Sequence, residues 1–190
     1  MALALLRRLP GDEITAEFER QFDAFEQALG RPPAFLDGHL HVQQLPAVRE
    51  ILVALWQRRL RGRGAWLRVA DGLTLSHGLK GLAVGLLGRG LRARAAESGI
   101  ATNDRFSGIY DLTERVPYAT LFERFLADTA GAQWPLVMCH PGEVDDELRA
   151  VDSVTAAREA ELRFLEGPDF LPLLARHGLT LGRFAQADAS

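Results

Sequence analysis

Phe35-Leu-Asp-Gly-His-Leu-His-Val-Gln-Gln-Leu-Pro46 says more about the fold and chemistry of this chain than any other stretch. Its polar residues Asp37, His39, His41 and Gln43 recur at every second position, with Leu36, Leu40 and Val42 among the residues between them. A period of two belongs to a strand, so the four polar side chains are expected on one face of an extended segment and the apolar ones on the other. Two imidazoles and a carboxylate projecting together from the end of a strand mark a candidate active-site edge.

Working outward, Ile14, Phe18, Phe22, Phe25 and Leu29 recur three or four apart and are followed by Gly30, Pro32 and Pro33, which predicts an amphipathic helix over 14–29. A strand over 34–39 comes next. Pro46 then opens a helix over 47–58, with Val48, Ile51, Leu52 and Leu55 on one face. Further on, the pattern predicts a strand over 65–70, a helix over 79–96, a short strand over 99–102 and a helix over 118–130. Gly81, Gly85 and Gly88 share one face of the 79–96 helix, which suggests close packing against a neighbouring element or else a looser segment. The nearly continuous apolar run 134–139 reads as a strand buried on both faces, followed by helices over 155–165 and 169–177 and a last strand over 179–184. Strands alternating with helices predict an α/β fold with a parallel sheet covered by helices, as a barrel or an open doubly wound sheet.

Composition narrows the possible partners. A net charge of −3, from 22 basic and 25 acidic residues mixed along the chain, builds no field for nucleic acid or an anionic membrane. The arginines at 58, 59, 61 and 63 and at 89, 92 and 94 read as solvated helix ends. Cys139 is the only cysteine, which excludes an intrachain disulfide and a thiolate zinc cage and makes a reducing cytoplasm the expected compartment. The apolar run at residues 1–6 is too short for a membrane span and precedes its charges, the reverse of a secretory signal. It reads as the interior of a domain.

In parallel α/β folds the chemistry gathers at the carboxyl ends of the strands. Asp37, His39 and His41 end one predicted strand and Arg68 lies near the end of the next. Asn103, Asp104 and Phe106 follow a third, and Cys139-His140-Pro141-Gly142 ends a fourth, so all four groups are expected on one rim. The His-x-His pair suits zinc or a similar divalent ion, with Asp37 orienting one ring; the same residues also fit half-buried rings satisfied by backbone carbonyls. Beside such a pair, His140 becomes a candidate general acid or transition-state stabiliser. Cys139 precedes His140 and points away from it, as a core residue does. His77 and His177 read as solvated, and Asp145-Asp146 as helix capping.

These residues carry a resemblance. Leu36-Asp-Gly-His-Leu-His-Val-Gln-Gln-Leu-Pro46 resembles the Asp-Ser-His-x-His-Val-His-x-x-Pro motif of the YdjC-like (ChbG-type) carbohydrate deacetylases. Val137-Met-Cys-His-Pro-Gly142 with Asp145 resembles that family's Met-Cys-His-Pro-Gly segment, and Arg158-Glu-Ala-Glu-Leu162 its Arg-x-x-Glu-Leu helix. Thr102-Asn-Asp-Arg-Phe-Ser-Gly-Ile109 is similar to the hopanoid-biosynthesis-associated branch.

The resemblance implies a hydrolase on a TIM-like (β/α) barrel that removes acetyl groups from N-acetylated sugars or sugar-containing lipids with a divalent metal ion, zinc or magnesium. On the matching positions it implies His39 as metal ligand, His140 as the catalytic acid or oxyanion partner, and Asp37, His41 and Arg68 as groups that face substrate or orient the ligands. Two departures stand out. Gln43 replaces the motif's third histidine, and neither the family's early Asp-Asp strand end nor its Gly-x-His-x-x-Leu segment precedes the His-x-His motif. Residues 1–190 are therefore expected to form a single domain matching the C-terminal two thirds of the family's, a barrel incomplete at its N-terminus whose exposed strand edge invites a homodimer. The alternative function is a catalytically inactive chain that binds a sugar or a partner protein.

Overall fold

The computed structural model describes residues 10–72 and 78–183. They fall into two compact units, one reaching to Asn103 and the other spanning Asp104–Arg183.

The first unit opens with α1 (Gly11–Leu29), whose first turn carries Asp12 and Glu13 where a helix N-terminus favours negative charge. Gly30 ends it in the left-handed conformation, φ 64°, and its N–H donates to the Glu26 carbonyl. Strand β1 (Phe35–Leu36) and helix α2 (Pro46–Arg59) follow, then β2 (Trp66–Leu67), α3 (Gly78–Glu97) and β3 (Ala101–Thr102). The strands lie in the order β1-β2-β3, all parallel, with helical crossovers as parallel strands require. Phe35 pairs with Trp66 and Trp66 with Ala101. Leu52, Leu55, Trp56 and Leu60 from α2 and its end bury against Leu67 and Val69 of the sheet and Leu91 and Ala95 of α3.

Arg59 ties α1 to α2. Its guanidinium donates to Glu19 at 2.7 Å, Asp23 at 2.8 Å and Glu26 at 2.9 Å, while Arg58 reaches Glu19 at 2.6 Å. The expectation that both arginines are merely solvated is corrected at this point, because acidic residues one turn apart on α1 face them. The close packing expected of the α3 glycines is met at Gly88, where a Cβ would lie 2.3 Å from the Ala70 carbonyl oxygen.

The second unit contains β4 (Arg105–Ser107), α4 (Tyr118–Asp128), β5 (Pro135–Val137), α5 (Asp146–Val151), α6 (Ala156–Leu165) and α7 (Phe170–Arg176). β4 and β5 pair in parallel, Phe106 opposite Leu136. Its core is aromatic: Tyr118 and Phe122 of α4 meet Phe164 of α6 and Phe170 of α7, with ring centroids 5.3–5.9 Å apart. Asp145 caps α5, its carboxylate accepting from the Leu148 N–H at 2.8 Å, as its position predicts.

Three expectations are corrected. The stretch 39–44 is a 3-10 turn, His39–Gln44, in which Leu40 (φ 53°) and His41 (φ 59°) are left-handed, so Asp37, His39, His41 and Gln43 do not share a strand face. The run around β5 is half-buried rather than buried on both faces. Residues 179–183 form no strand, and Leu179 instead packs on the aromatic core; Phe184 lies outside the described residues, as does His77. Both sheets are parallel, which gives the α/β class; among the described residues neither closes on itself.

Candidate functional site

The register of the first sheet brings its chemistry together. β1 and β2 end at Leu36 and Leu67, and the pairing continues one step further through the Arg68 N–H to the Leu36 carbonyl, 3.1 Å. Asp37 and Arg68 are thus neighbours at the carboxyl ends of adjacent strands. The Arg68 side chain, in a residue only 5% exposed, grips this edge with its whole fork: Nε donates to Asp37 Oδ1 at 2.5 Å, Nη1 meets His41 Nδ1 at 2.9 Å and Nη2 reaches the Gly38 carbonyl at 3.2 Å. A guanidinium has no acceptor, so His41 Nδ1 accepts and the neutral ring carries its proton on Nε2. The orientation of the His41 ring is therefore set by Arg68.

The strained turn is held from below by two glutamines. Gln44, fully buried, accepts from the Ala70 N–H at 2.6 Å and donates to the Val84 carbonyl at 2.9 Å. Gln43 donates to the Arg68 carbonyl at 3.3 Å and to Asp37 at 3.4 Å. Its Oε1 is buried without a hydrogen-bond partner among the described residues. Consecutive left-handed residues other than glycine cost roughly 1–2 kcal/mol each, and such strain clusters at functional sites. Next along the rim, Asn103 closes β3 onto β2 with its amide, accepting from the Val69 N–H at 2.8 Å and donating to the Val69 carbonyl at 2.9 Å.

His39 stands apart from this group. It is exposed and makes no hydrogen bond or ion pair among the described residues. A catalytic zinc site needs three protein ligands. Asp37 and His41 Nδ1 are both engaged by Arg68, and no cluster of three histidine, cysteine, aspartate or glutamate side chains occurs among the described residues. Among the described residues the exposed His39 imidazole and the second oxygen of Asp37, Oδ2, are left to a metal, short of the three protein ligands such a site needs.

The second unit holds His140, just past β5. Its backbone N–H donates to Glu161 Oε2 at 2.5 Å, and its Nδ1 lies 3.9 Å from Glu161 Oε1. Glu161 is fully buried on α6 and also accepts from the Tyr110 hydroxyl at 2.6 Å. The Gly142 N–H meets the Arg158 carbonyl at 3.3 Å, so the 139–142 loop is latched to one face of α6. Burial pushes the Tyr110 phenol well above its usual range, and the Glu161 hydrogen bond adds to the shift. Cys139, expected in the core, is half-buried and packs against the aromatic cluster, its thiol pushed up by burial. His177 is exposed at the end of α7.

Sequence reasoning assigned no role to Glu161 or Tyr110. The signal for Glu161 was the Arg158-x-x-Glu161-Leu162 segment. Nothing in the residue pattern marks Tyr110.

The family model for YdjC-like protein matches residues 1–176. The chain belongs to the YdjC-like family. It is 28% identical over 174 residues to chitooligosaccharide deacetylases of Yersinia pestis (strain Pestoides F) and Yersinia pseudotuberculosis serotype O:1b (strain IP 31758), covering 91% of this chain and 60% of each relative. A crystal structure named "putative cellobiose-phosphate cleavage protein", from Enterococcus faecalis V583, shares the fold with a TM-score of 0.66 at 17% identity, over 92% of this chain and 60% of that one. The chain thus spans 60% of the length of these curated relatives. No helix among the described residues is long and apolar enough to cross a membrane.

Proposed function

We propose that this chain carries part of the active site of a carbohydrate deacetylase, a hydrolase that removes acetyl groups from N-acetylated sugars or sugar-containing lipids. The observation that carries the reading is the Arg68 clasp. It holds Asp37 and aims His41 at the carboxyl ends of parallel strands, within the motif that resembles the deacetylase family. Relatives named for chitooligosaccharide deacetylation support it.

Amide hydrolysis needs a proton for the departing amine and donors for the oxyanion. His140, partly exposed past β5, is the group proposed to supply the proton. His41, its ring oriented by Arg68 through Nδ1, is proposed to face substrate. Asp37 is committed to Arg68 and is assigned orientation rather than base chemistry. Metal dependence, with zinc or magnesium, is proposed of the whole protein. His39 is the imidazole this chain would offer it. A TIM-like barrel, a cytoplasmic location and pairing of two copies along the β1 edge of the sheet accompany this reading.

The test is acetate release from N-acetylglucosamine oligomers in the presence of zinc or magnesium. His140→Ala is expected to slow it by about 10²–10⁴-fold, the usual worth of a positioned acid. Absence of turnover together with saturable oligosaccharide binding would favour the sugar-binding alternative.

A further inference from the structure

The buried carboxylate of Glu161 is not explained by the fold alone. A fully buried glutamate is rare unless paired, and this one receives a donor on each oxygen: the Tyr110 O–H at 2.6 Å and the His140 N–H at 2.5 Å. Both oxygens are thus satisfied by hydrogen bonds, as a buried polar group requires. No arginine or lysine is recorded as an ion-pair partner for it among the described residues. Arg158, three residues earlier on the same helix, is turned to Asp152 at 2.7 Å and the Val154 carbonyl at 2.9 Å. The cationisable group recorded beside the carboxylate is the His140 imidazole, 3.9 Å away.

We propose that Glu161 is the positioning residue for His140, fixing its backbone through one oxygen and setting the other beside the ring, so that the imidazole holds its proton at neutral pH. The proposal rests on the deacetylase reading only in supposing that this proton is the one delivered to the amine.

Among the described residues, the other titratable groups facing the pair leave this balance intact. Tyr110, on the loop after β4, and Tyr118, on α4, are both pushed up by burial and stay neutral phenols. Cys139, next in the chain, is pushed up by burial and stays a thiol. Asp152, after α5, is held below the usual carboxylate range, first by the Val154 N–H and then by Arg158; His140 is a smaller cause. Asp152 is thus a second anion, already paired with Arg158, and it also favours the protonated ring. The opposing effect is burial, which disfavours charge: 29% of the His140 side chain is exposed, but Nδ1, the nitrogen nearest Glu161, is itself buried. Next to a buried carboxylate at 3.9 Å, in an effective dielectric far below that of water, the attraction is the larger of the two.

The experiment follows the His140 ring protons by NMR from about pH 5 to about pH 9 in the full chain, the resonance being assigned by its loss in His140→Ala. In the wild-type chain the midpoint is expected above about 7.5, against about 6.5 for an ordinary histidine. Glu161→Gln, which keeps size and loses charge, should lower it by about one unit or more, and Glu161→Asp, which keeps charge at a longer reach, should give an intermediate value. A wild-type midpoint at or below about 6.5 overturns the proposal, as does a midpoint that Glu161→Gln leaves unmoved. If Glu161→Gln fails to fold by near-ultraviolet dichroism, the wild-type and Glu161→Asp midpoints decide it. A merely structural Glu161 would alter stability without moving the midpoint. The titration reads the ring rather than turnover, so failure of the deacetylase reading leaves its result standing. An ordinary His140 would remove the role of Glu161 and leave acetate release as the test of the reaction.

Discussion

At Gly38 a side chain has nowhere to begin. A Cβ there would lie 2.5 Å from Gln43 Oε1, 2.9 Å from the Gln43 backbone nitrogen and 3.1 Å from Val42 Cγ2, although the backbone itself (φ −126°, ψ 128°) suits any residue. The obstacle is therefore the fold of the turn beneath it rather than torsion. Gly38→Ala is expected to cost about 1–3 kcal/mol in urea unfolding, the usual range for overpacking a tight site. Adding Gln43→Ala should restore only part of that, since the backbone nitrogen stays in place. Full recovery in the double variant would show that the glutamine side chain alone sets the fit. The same pair explains why this turn was misread. Polar residues at every second position look like a strand face, but Gln43 and Gln44 are both buried, their amides bonded to backbone groups just past β2 or in α3. A side-chain amide satisfying the backbone of a distant segment leaves no mark in the local pattern. Arg68, by contrast, was legible as a strand-end residue, while its grip on both Asp37 and His41 depends on the β1–β2 register.

Between elements, the contacts that matter are the α1–α2 ion pairs and the α3–β2 approach. Glu19 is held below the ordinary carboxylate range, first by the Arg58 hydrogen bond and, less strongly, by Arg59, with burial opposing. A depressed carboxyl stabilises the fold above its unfolded value, about 4.3, and loses that contribution as pH falls through the lower folded value. Arg59→Gln should therefore lower the melting temperature at pH 7 by an amount equivalent to about 1 kcal/mol, with the gap closing below about pH 4 and shrinking in about 1 M salt. A gap that persists in acid would assign the effect to the lost stacking on Phe22, whose ring lies 5.4 Å from the guanidinium. On α3 two glycines make opposite predictions. Gly88→Ala would press a methyl into the Ala70 carbonyl at 2.3 Å and should cost about 1–3 kcal/mol. Gly90→Ala meets only the mobile end of Arg49 and should be neutral or stabilising by up to about 1 kcal/mol, since alanine is the better helix former. Equal effects of the two in urea titrations would contradict the close approach of α3 to β2. Helices α1 and α4, with strong apolar periodicity, could be read directly from residue spacing, and α2 from the proline at its first turn. β4, three residues in a polar stretch, and α5, six residues long, were too short to leave a period.

At the scale of the whole chain, the chemistry divides between the units: Asp37, His39, His41 and Arg68 belong to the first, and Tyr110, His140 and Glu161 to the second. The motifs that carry the family resemblance could be read in both. The engagement of each residue could not, because it depends on which distant backbone each motif meets. That engagement decides what zinc should do. With Asp37 and His41 Nδ1 held by Arg68, only His39 offers an exposed imidazole from this motif, and a single imidazole binds zinc far more weakly than a three-ligand site. Calorimetric titration of the full 190-residue chain with zinc is therefore expected to give weak, non-saturating heats that His39→Ala reduces and Asp37→Asn leaves unchanged. Saturating one-to-one binding that His39→Ala abolishes would mean that donors beyond the described clasp complete the site. If Asp37→Asn also abolished it, Arg68 would have to release the carboxylate on metal binding, and the clasp would be a resting arrangement that the ion replaces. Arg68→Met separates these cases, since freeing Asp37 should strengthen binding only if that carboxylate is a ligand in waiting.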